Sequence, residues 1–121
     1  MKPRTCLIII ACAGLLAGCA ASFPPTELID ARQAYAHLSA GQAEQLVPAE
    51  LLKAQLALAI AEKSFLTDPE SFRTRDLAYV ANRKAKLAEA LAVTAAVKAA
   101  AARANKDYQV IKMELVKNSA K

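Results

Sequence analysis

The sequence lacks most of the residues that form tight turns and aromatic cores. It contains no tryptophan, three phenylalanines, three tyrosines and three glycines among 121 residues. Gly41 is the only glycine after residue 18, so tight hairpins, which depend on glycine, are disfavoured. Alanine, the strongest helix former, is very frequent after residue 20. This composition predicts an all-α protein.

The first eighteen residues have the pattern of a bacterial export signal. Lys2 and Arg4 give a positively charged start, and an uncharged apolar run extends from residue 6 to residue 17. Such a run suits a signal sequence but is too short to span a bilayer core of roughly 30 Å. We therefore predict that residues 1–18 are a removable signal peptide.

The apolar run ends in Leu16-Ala17-Gly18-Cys19, which matches the lipobox of bacterial lipoproteins. The small residues fit a narrow protease site, and the Cys19 thiol is the nucleophile that takes the diacylglyceryl group. We predict cleavage before Cys19, followed by S-diacylglycerol and N-acyl modification that anchors the chain in a membrane. The next residue is Ala20 rather than aspartate, which favours the outer membrane and the periplasm.

Other interpretations of this segment stay open. Small residues at alternate positions also allow an ordinary signal cleavage near Ala20 or Ala21. An uncut anchor helix ending at Ala21 is a further alternative, although it is shorter than the usual minimum of ~17 residues. A lipobox can also arise by chance in such a segment, but its place directly after the apolar run favours the lipoprotein.

Charge and cysteine content argue against several classes of function. The formal net charge is +5, and loss of the signal leaves it close to +3, with 14 basic and 11 acidic residues. This mild excess does not indicate a nucleic-acid partner. Cys6 and Cys12 leave with the signal, and Cys19 alone cannot form an internal disulfide or a cysteine metal cluster.

Prolines and apolar spacing divide the mature chain into a tether and three helices. Pro24 and Pro25 stiffen a tether over residues 19–26. The apolar residues that follow recur every three or four positions, which is typical of helices. Thr26 and Asp68 are predicted N-caps, and Gly41 is a predicted helix end. The helical domain, residues 27–121, is predicted to have helices over about 27–40, 48–66 and 69–116, in an antiparallel bundle.

The second predicted helix is apolar on two faces. Leu51, Leu58 and Phe65 belong to one stripe, and Leu52 and Ile60 belong to the other. A helix with two apolar faces usually lies between two neighbours. We therefore expect this helix to be the central one of the bundle.

The third predicted helix carries a row of alanines at alternating steps of three and four residues. This spacing places them on one face, and their small side chains let helix axes approach closely. This seam consists of Ala78, Ala81, Ala85, Ala88, Ala92, Ala95 and Ala99, with Ala102 continuing it. An alternative is that the row is a chance result of high alanine content. Because each alanine buries little area, the flanking side chains are expected to support the seam. On one side these are Leu77, Val80, Leu87 and Leu91, and the residues predicted to face solvent are Asn82, Arg83, Lys86 and Glu89.

The third helix is predicted to overhang the other two by tens of ångströms. A break near Asn105-Lys106 is conceivable, after which Tyr108, Ile111 and Leu115 restart an apolar stripe. An isolated helix is marginal in water, so the overhang from about Ala92 should pair with another copy, bind an envelope protein or fray. We favour self-association.

The sequence resembles a family of bacterial envelope lipoproteins known as domain of unknown function 4398. The resemblance covers about residues 16–95 and implies an exported helical hairpin without a known activity. One departure is Thr67-Asp68-Pro69, where relatives often have a Gly-Asp turn. Another is that this chain has no peptidoglycan-binding domain of the kind some larger relatives add. The matching motifs are Leu16 to Cys19, Pro24 to Leu28, Pro48 to Ala61 and Lys86 to Ala90.

No motif indicates catalysis, and we predict neither an enzyme nor a bound cofactor. His37 is the only histidine, so the sequence has no second histidine for a metal-binding pair or a base–nucleophile set. Lys121, the last residue, suggests covalent attachment to peptidoglycan, because the major murein lipoprotein also ends in lysine. We predict a structural or protein-interaction lipoprotein. The alternatives are a peptidoglycan link and an accessory subunit of an envelope transport machine.

Overall fold

The computed structural model describes residues 22–120, and within that range it contains helices and no strand. This confirms the all-α prediction. The predicted signal peptide, Cys19 and Lys121 lie outside the described residues. The helices are α1 (Thr26–Ala40), α2 (Ala43–Leu46), α3 (Pro48–Thr67) and α4 (Phe72–Ser119).

The three long helices run up, down and up, so α1 and α4 point the same way and α3 is antiparallel to both. At one end of the bundle, the start of α1 packs with the end of α3 and the start of α4. At the other end, the end of α1 packs with the start of α3 and the middle of α4. Members of these two clusters are Leu28, Ala61 and Ala78 at the first end, and Leu38, Ala54 and Ala88 at the second.

The central helix is α4, not α3, which corrects the prediction made from the two apolar faces. Both α1 and α3 contact α4 far more than they contact each other. Only the α3 stripe that includes Ala54 and Ala61 is buried, whereas Leu52, Leu56 and Ile60 of the other stripe are exposed. The alanine seam explains this arrangement, because its small side chains let two helices pack against α4.

The helix starts differ from those predicted by the capping signals. α1 begins at Thr26 itself, after Pro25, and has no side-chain cap. α4 begins at Phe72, three residues after the predicted start, with Ser71 as its N-cap. Asp68 instead ends α3, because its backbone N–H donates to the Ser64 carbonyl over 2.8 Å. Gly41 does follow the end of α1.

A buried hydroxyl explains why Ser71, rather than Asp68, is the N-cap of α4. Thr74 is fully buried, and its backbone N–H donates to the Ser71 hydroxyl over 3.2 Å. The Thr74 hydroxyl donates to the Asp68 carbonyl over 2.8 Å and lies 2.7 Å from the Ser64 hydroxyl. Only a start at Phe72 places this side chain where it can join the α3–α4 turn to both helices.

We predict that Thr74→Val lowers the free energy of unfolding by about 1–3 kcal/mol, because the half-buried Ser64 hydroxyl loses its partner and the Asp68 carbonyl keeps only its bonds from Ser71. Thr67→Val is the matched control, since the Thr67 hydroxyl is exposed and donates only to the Lys63 carbonyl of its own helix. Urea unfolding followed by circular dichroism measures both. Equal stability of the two variants would contradict this account of the turn.

One two-pronged ion pair joins α1 to α3. Arg32 donates from Nε and Nη2 to the two carboxylate oxygens of Glu62, over 2.6 and 2.7 Å. The Arg32 guanidinium also lies 6.0 Å from the centre of the Phe65 ring. The hydrogen bond from Arg32 lowers the pKa of Glu62 and, in return, raises the pKa of Arg32. Because the pair is partly exposed, its contribution to stability is modest.

We predict that Glu62→Gln costs roughly 0.2–1 kcal/mol at neutral pH. The lowered pKa of Glu62 means that its contribution is complete above the ordinary carboxyl pKa of about 4.5 and is lost as the pH falls through the lowered value. The difference from wild type should therefore disappear in acid. Glu44→Gln, on exposed Glu44, is the control. A difference independent of pH would contradict this role for the pair.

Candidate interaction surface

The first five alanines of the seam are buried in the bundle, and the last members emerge from it. Ala78, Ala81, Ala85, Ala88 and Ala92 are buried. The remaining seam positions are half-buried at 95 and 99 and exposed at 102. The seam is therefore a contact within the chain along the first part of α4, between Phe72 and about residue 92.

Helices pack closely against this seam, but the contact buries little apolar surface. Each buried alanine removes little surface from water, so the contact is weak per residue. Leu87 and Leu91, which were expected to support the seam, are 56% and 40% exposed and contribute less than predicted. Larger side chains from α1 and α3 fill the space over the alanines, among them Leu38, Tyr35 and Leu51.

Asn82 is buried rather than facing solvent, which corrects the prediction for that side of α4. The reason is the position of α1. His37 of α1 lies beside Glu89, and Glu89 is seven residues after Asn82 on the same face of α4. α1 therefore covers this face. Among the described residues, the Asn82 side-chain oxygen accepts no hydrogen bond.

We predict that Ala88→Leu destabilises the bundle by about 1–3 kcal/mol, because a larger side chain must separate α4 from its neighbours. Ala102→Leu places the same change on an exposed part of the same helix and should alter stability by less than about 0.5 kcal/mol. Thermal unfolding measures both variants. Tolerance of leucine at position 88 would mean that the seam is not a tight contact.

α4 continues well beyond the bundle. It is one uninterrupted helix to Ser119, so no break occurs at Asn105. The part after Ala92, residues 93–119, is called the α4 extension below. At 1.5 Å per residue it is about 40 Å long. Most of its side chains are exposed, and all of those after residue 99 are.

The α4 extension exposes several large apolar side chains to solvent. Val97 is 63% exposed, Tyr108 62%, Ile111 56% and Leu115 64%. Val110, Met113 and Val116 are exposed as well, on other faces. Helices in proteins gain most of their stability from tertiary packing, which the exposed part of this extension lacks. The exposed apolar side chains and the lack of packing make the extension the candidate interaction surface.

The described residues offer little material for catalysis or metal binding. His37 is largely exposed, and its Nδ1 lies 3.4 Å from Oε1 of Glu89. Between residues 22 and 120, no group of three or more histidine, cysteine, aspartate or glutamate side chains is placed to hold a metal ion. Within residues 22–120, no helix is both long and apolar enough to cross a membrane.

The fold defines the chain as a small helical bundle whose last helix projects from one end. A model of the family described as domain of unknown function (DUF4398) matches residues 26–104, and the chain belongs to this family. The match spans α1, α2, α3 and most of α4, but ends before Tyr108. No curated protein matches the chain, and no solved structure matches it either.

The sequence predicts the projecting helix, but the prediction did not recognise that its apolar residues form one row. The sequence left open a break near Asn105-Lys106, after which Tyr108, Ile111 and Leu115 would restart a stripe. The uninterrupted helix instead places Val97 and these three residues in one regular row. The signal that could have revealed the row is its own spacing of three and four residues, which the more numerous alanines obscured.

Proposed function

We propose that this chain is a lipid-anchored helical protein of the bacterial cell envelope, and that it acts as a non-catalytic structural or protein-interaction module. Cys19 would carry the lipid, and the α4 extension would provide the interaction surface. Support for the anchor comes from the lipobox at residues 16–19, behind a basic start and an apolar run. The protein would face the periplasm, with the outer membrane favoured by Ala20.

The observation that carries this proposal is the direction of the α4 extension. Residue 22 lies four residues before α1, at the end of the bundle that also contains the α3–α4 turn. α4 starts at this end and leaves the bundle at the other. A tether of about six residues reaches ~20 Å at most, so a lipid on Cys19 would hold this end near the membrane. The extension would then point into the periplasm.

We predict that Cys19→Ser abolishes labelling of the full chain by a palmitate analogue and leaves the uncleaved precursor. Cys12→Ser is the matched control, because it removes a cysteine from the same segment but leaves the lipobox intact. Labelling and gel mobility in a bacterial host measure both variants. If the Cys19→Ser protein were still labelled and cleaved, the lipoprotein assignment would be wrong.

Membrane fractionation tests the proposed location. In an enterobacterial host, the wild-type chain should separate with the outer membrane on a density gradient. Ala20→Asp should move it to the inner membrane, because aspartate after the lipidated cysteine retains lipoproteins there. Wild-type protein found in the inner membrane would contradict the outer-membrane proposal without affecting lipidation.

A link to peptidoglycan is the second candidate function, because the α4 extension would point away from the lipid end and Lys121 follows it closely. Muramidase digestion of purified sacculi, followed by mass spectrometry, tests it. A peptide ending in Lys121 with an attached muropeptide would support a covalent bridge. Recovery of only unmodified Lys121 would contradict the covalent link and leave the interaction module as the proposed function.

A further inference from the structure

A regular row on α4, apolar except for Thr94, lies on the side opposite the alanine seam. Its positions alternate steps of three and four residues from the last part of the bundle to Leu115 in the extension. All of them are exposed. This row, called the α4 stripe below, consists of Leu87, Ala90, Thr94, Val97, Ala101, Ala104, Tyr108, Ile111 and Leu115.

The α4 stripe is free to accept another helix. Its members follow the corresponding seam alanines by two residues, for example Val97 after Ala95 and Ala101 after Ala99. Two residues correspond to about 200° around a helix, so the stripe points away from the seam. Since α1 and α3 pack on the seam side, neither of them covers it.

We propose that the α4 stripe is the interface of a parallel, in-register coiled coil between copies of this chain. The spacing is that of a heptad repeat, with Ala101, Tyr108 and Leu115 at positions a and Val97, Ala104 and Ile111 at positions d. No charged residue interrupts the row from Leu87 to Leu115. This deepens the proposed function by identifying a second copy as a partner.

Charges beside the stripe favour the parallel orientation. Positions e carry Lys98, Asn105 and Lys112, and positions g carry Ala100, Asp107 and Glu114. In a parallel pair, each g residue meets the e residue five positions further along the other helix. Asp107 would therefore meet Lys112 of the second copy, and symmetry would form this ion pair twice. Within residues 22–120, neither Asp107 nor Lys112 takes part in an ion pair.

The same charges oppose the antiparallel orientation. An antiparallel pair that keeps the stripe together brings e residues against e residues and g residues against g residues. In the register that places Val97 opposite Leu115, Asp107 would face Asp107 of the second copy, and Lys98 would face Lys112. Like charges at such sites suppress a pairing. In the register that places Val97 opposite Tyr108, Asp107 would face Ala100 and Lys112 would face Leu91, so no ion pair would form. Only the parallel orientation pairs Asp107 with Lys112, and the charges therefore favour it.

The parallel orientation also agrees with the lipid anchor, although this argument rests on the proposed function. It places the starts of α1 from both copies at the same end of the assembly. Two lipids on Cys19 could then enter one membrane. Confinement to a membrane raises the effective concentration of the copies, which helps an interface whose Ala101 and Ala104 layers bury little area.

Cysteine cross-linking in membranes of cells that express the full chain tests the orientation. In the proposed coil, Val97→Cys meets its own counterpart, and mild oxidation should yield a covalent dimer that the wild type does not form. In an antiparallel coil, Val97 faces Leu115 or Tyr108, depending on the register. Only the double variant Val97→Cys/Leu115→Cys or Val97→Cys/Tyr108→Cys would then cross-link. Absence of a dimer with Val97→Cys alone overturns the proposal, as does cross-linking only to another protein.

Aspartate substitutions in the Val97→Cys background test whether the stripe itself is the interface. Ile111→Asp would bury an unpaired charge in every copy and should reduce the cross-linked fraction at least ~10-fold. Val110→Asp is the matched control, because Val110 is the adjacent β-branched residue, is also exposed and lies off the stripe. Equal effects of the two substitutions would overturn the proposal.

A charge exchange tests the predicted ion pair. Asp107→Lys should reduce the cross-linked fraction roughly threefold to tenfold, and the double variant Asp107→Lys/Lys112→Asp should restore it. Failure of the double variant to restore pairing overturns the predicted register. Leucine at position a and isoleucine at position d, as at Leu115 and Ile111, favour coiled coils of more than two helices. Sedimentation of the purified chain measures how many copies associate.

The lipid is measured on the same samples by palmitate labelling. A chain that cross-links through Val97→Cys without a lipid would support the coiled coil and contradict the anchor. A labelled chain that does not cross-link would support the anchor and overturn the coiled coil. The two proposals therefore fail independently.

Discussion

The close contact of small side chains along α4 is the constraint on which the rest of this structure depends. Ala78, Ala81, Ala85, Ala88 and Ala92 let α1 and α3 pack on one helix from two sides. Because alanine buries little area, polar links at the edges of the bundle add to this contact. The buried Thr74 hydroxyl joins α4 to the turn, and Arg32 joins α1 to Glu62 of α3.

The general architecture could be predicted from sequence because helix periodicity and alanine content are local properties. The details that could not be predicted depend on which surfaces meet. Asp68 and Ser71 are both good N-cap residues, and only burial of Thr74 favours the second. The two apolar faces of α3 suggested a central helix, but the smaller side chains of α4 made it the better one to pack against from two sides. Asn82 is buried because α1 crosses above it.

The candidate surface was predictable in outline for the same reason. The length of α4 and its overhang follow from the absence of proline and glycine after Pro69. The exposed row through Val97, Tyr108 and Ile111 has the spacing of a helix face, but the more numerous alanines of α4 obscure it in the sequence. α4 thus changes character along its length. Its first half uses alanines on one side for contacts within the chain, and its second half exposes larger residues on the other side.

Amide hydrogen exchange along α4 tests this division most directly. We expect protection of residues 72–92 in both the wild-type chain and Ile111→Asp, because that part packs within the bundle. We expect protection of residues 97–115 in the associated wild type only, since helices in proteins gain most of their stability from packing, which this part lacks without a partner. Equal protection of residues 97–115 in a monomeric Ile111→Asp chain would contradict the account.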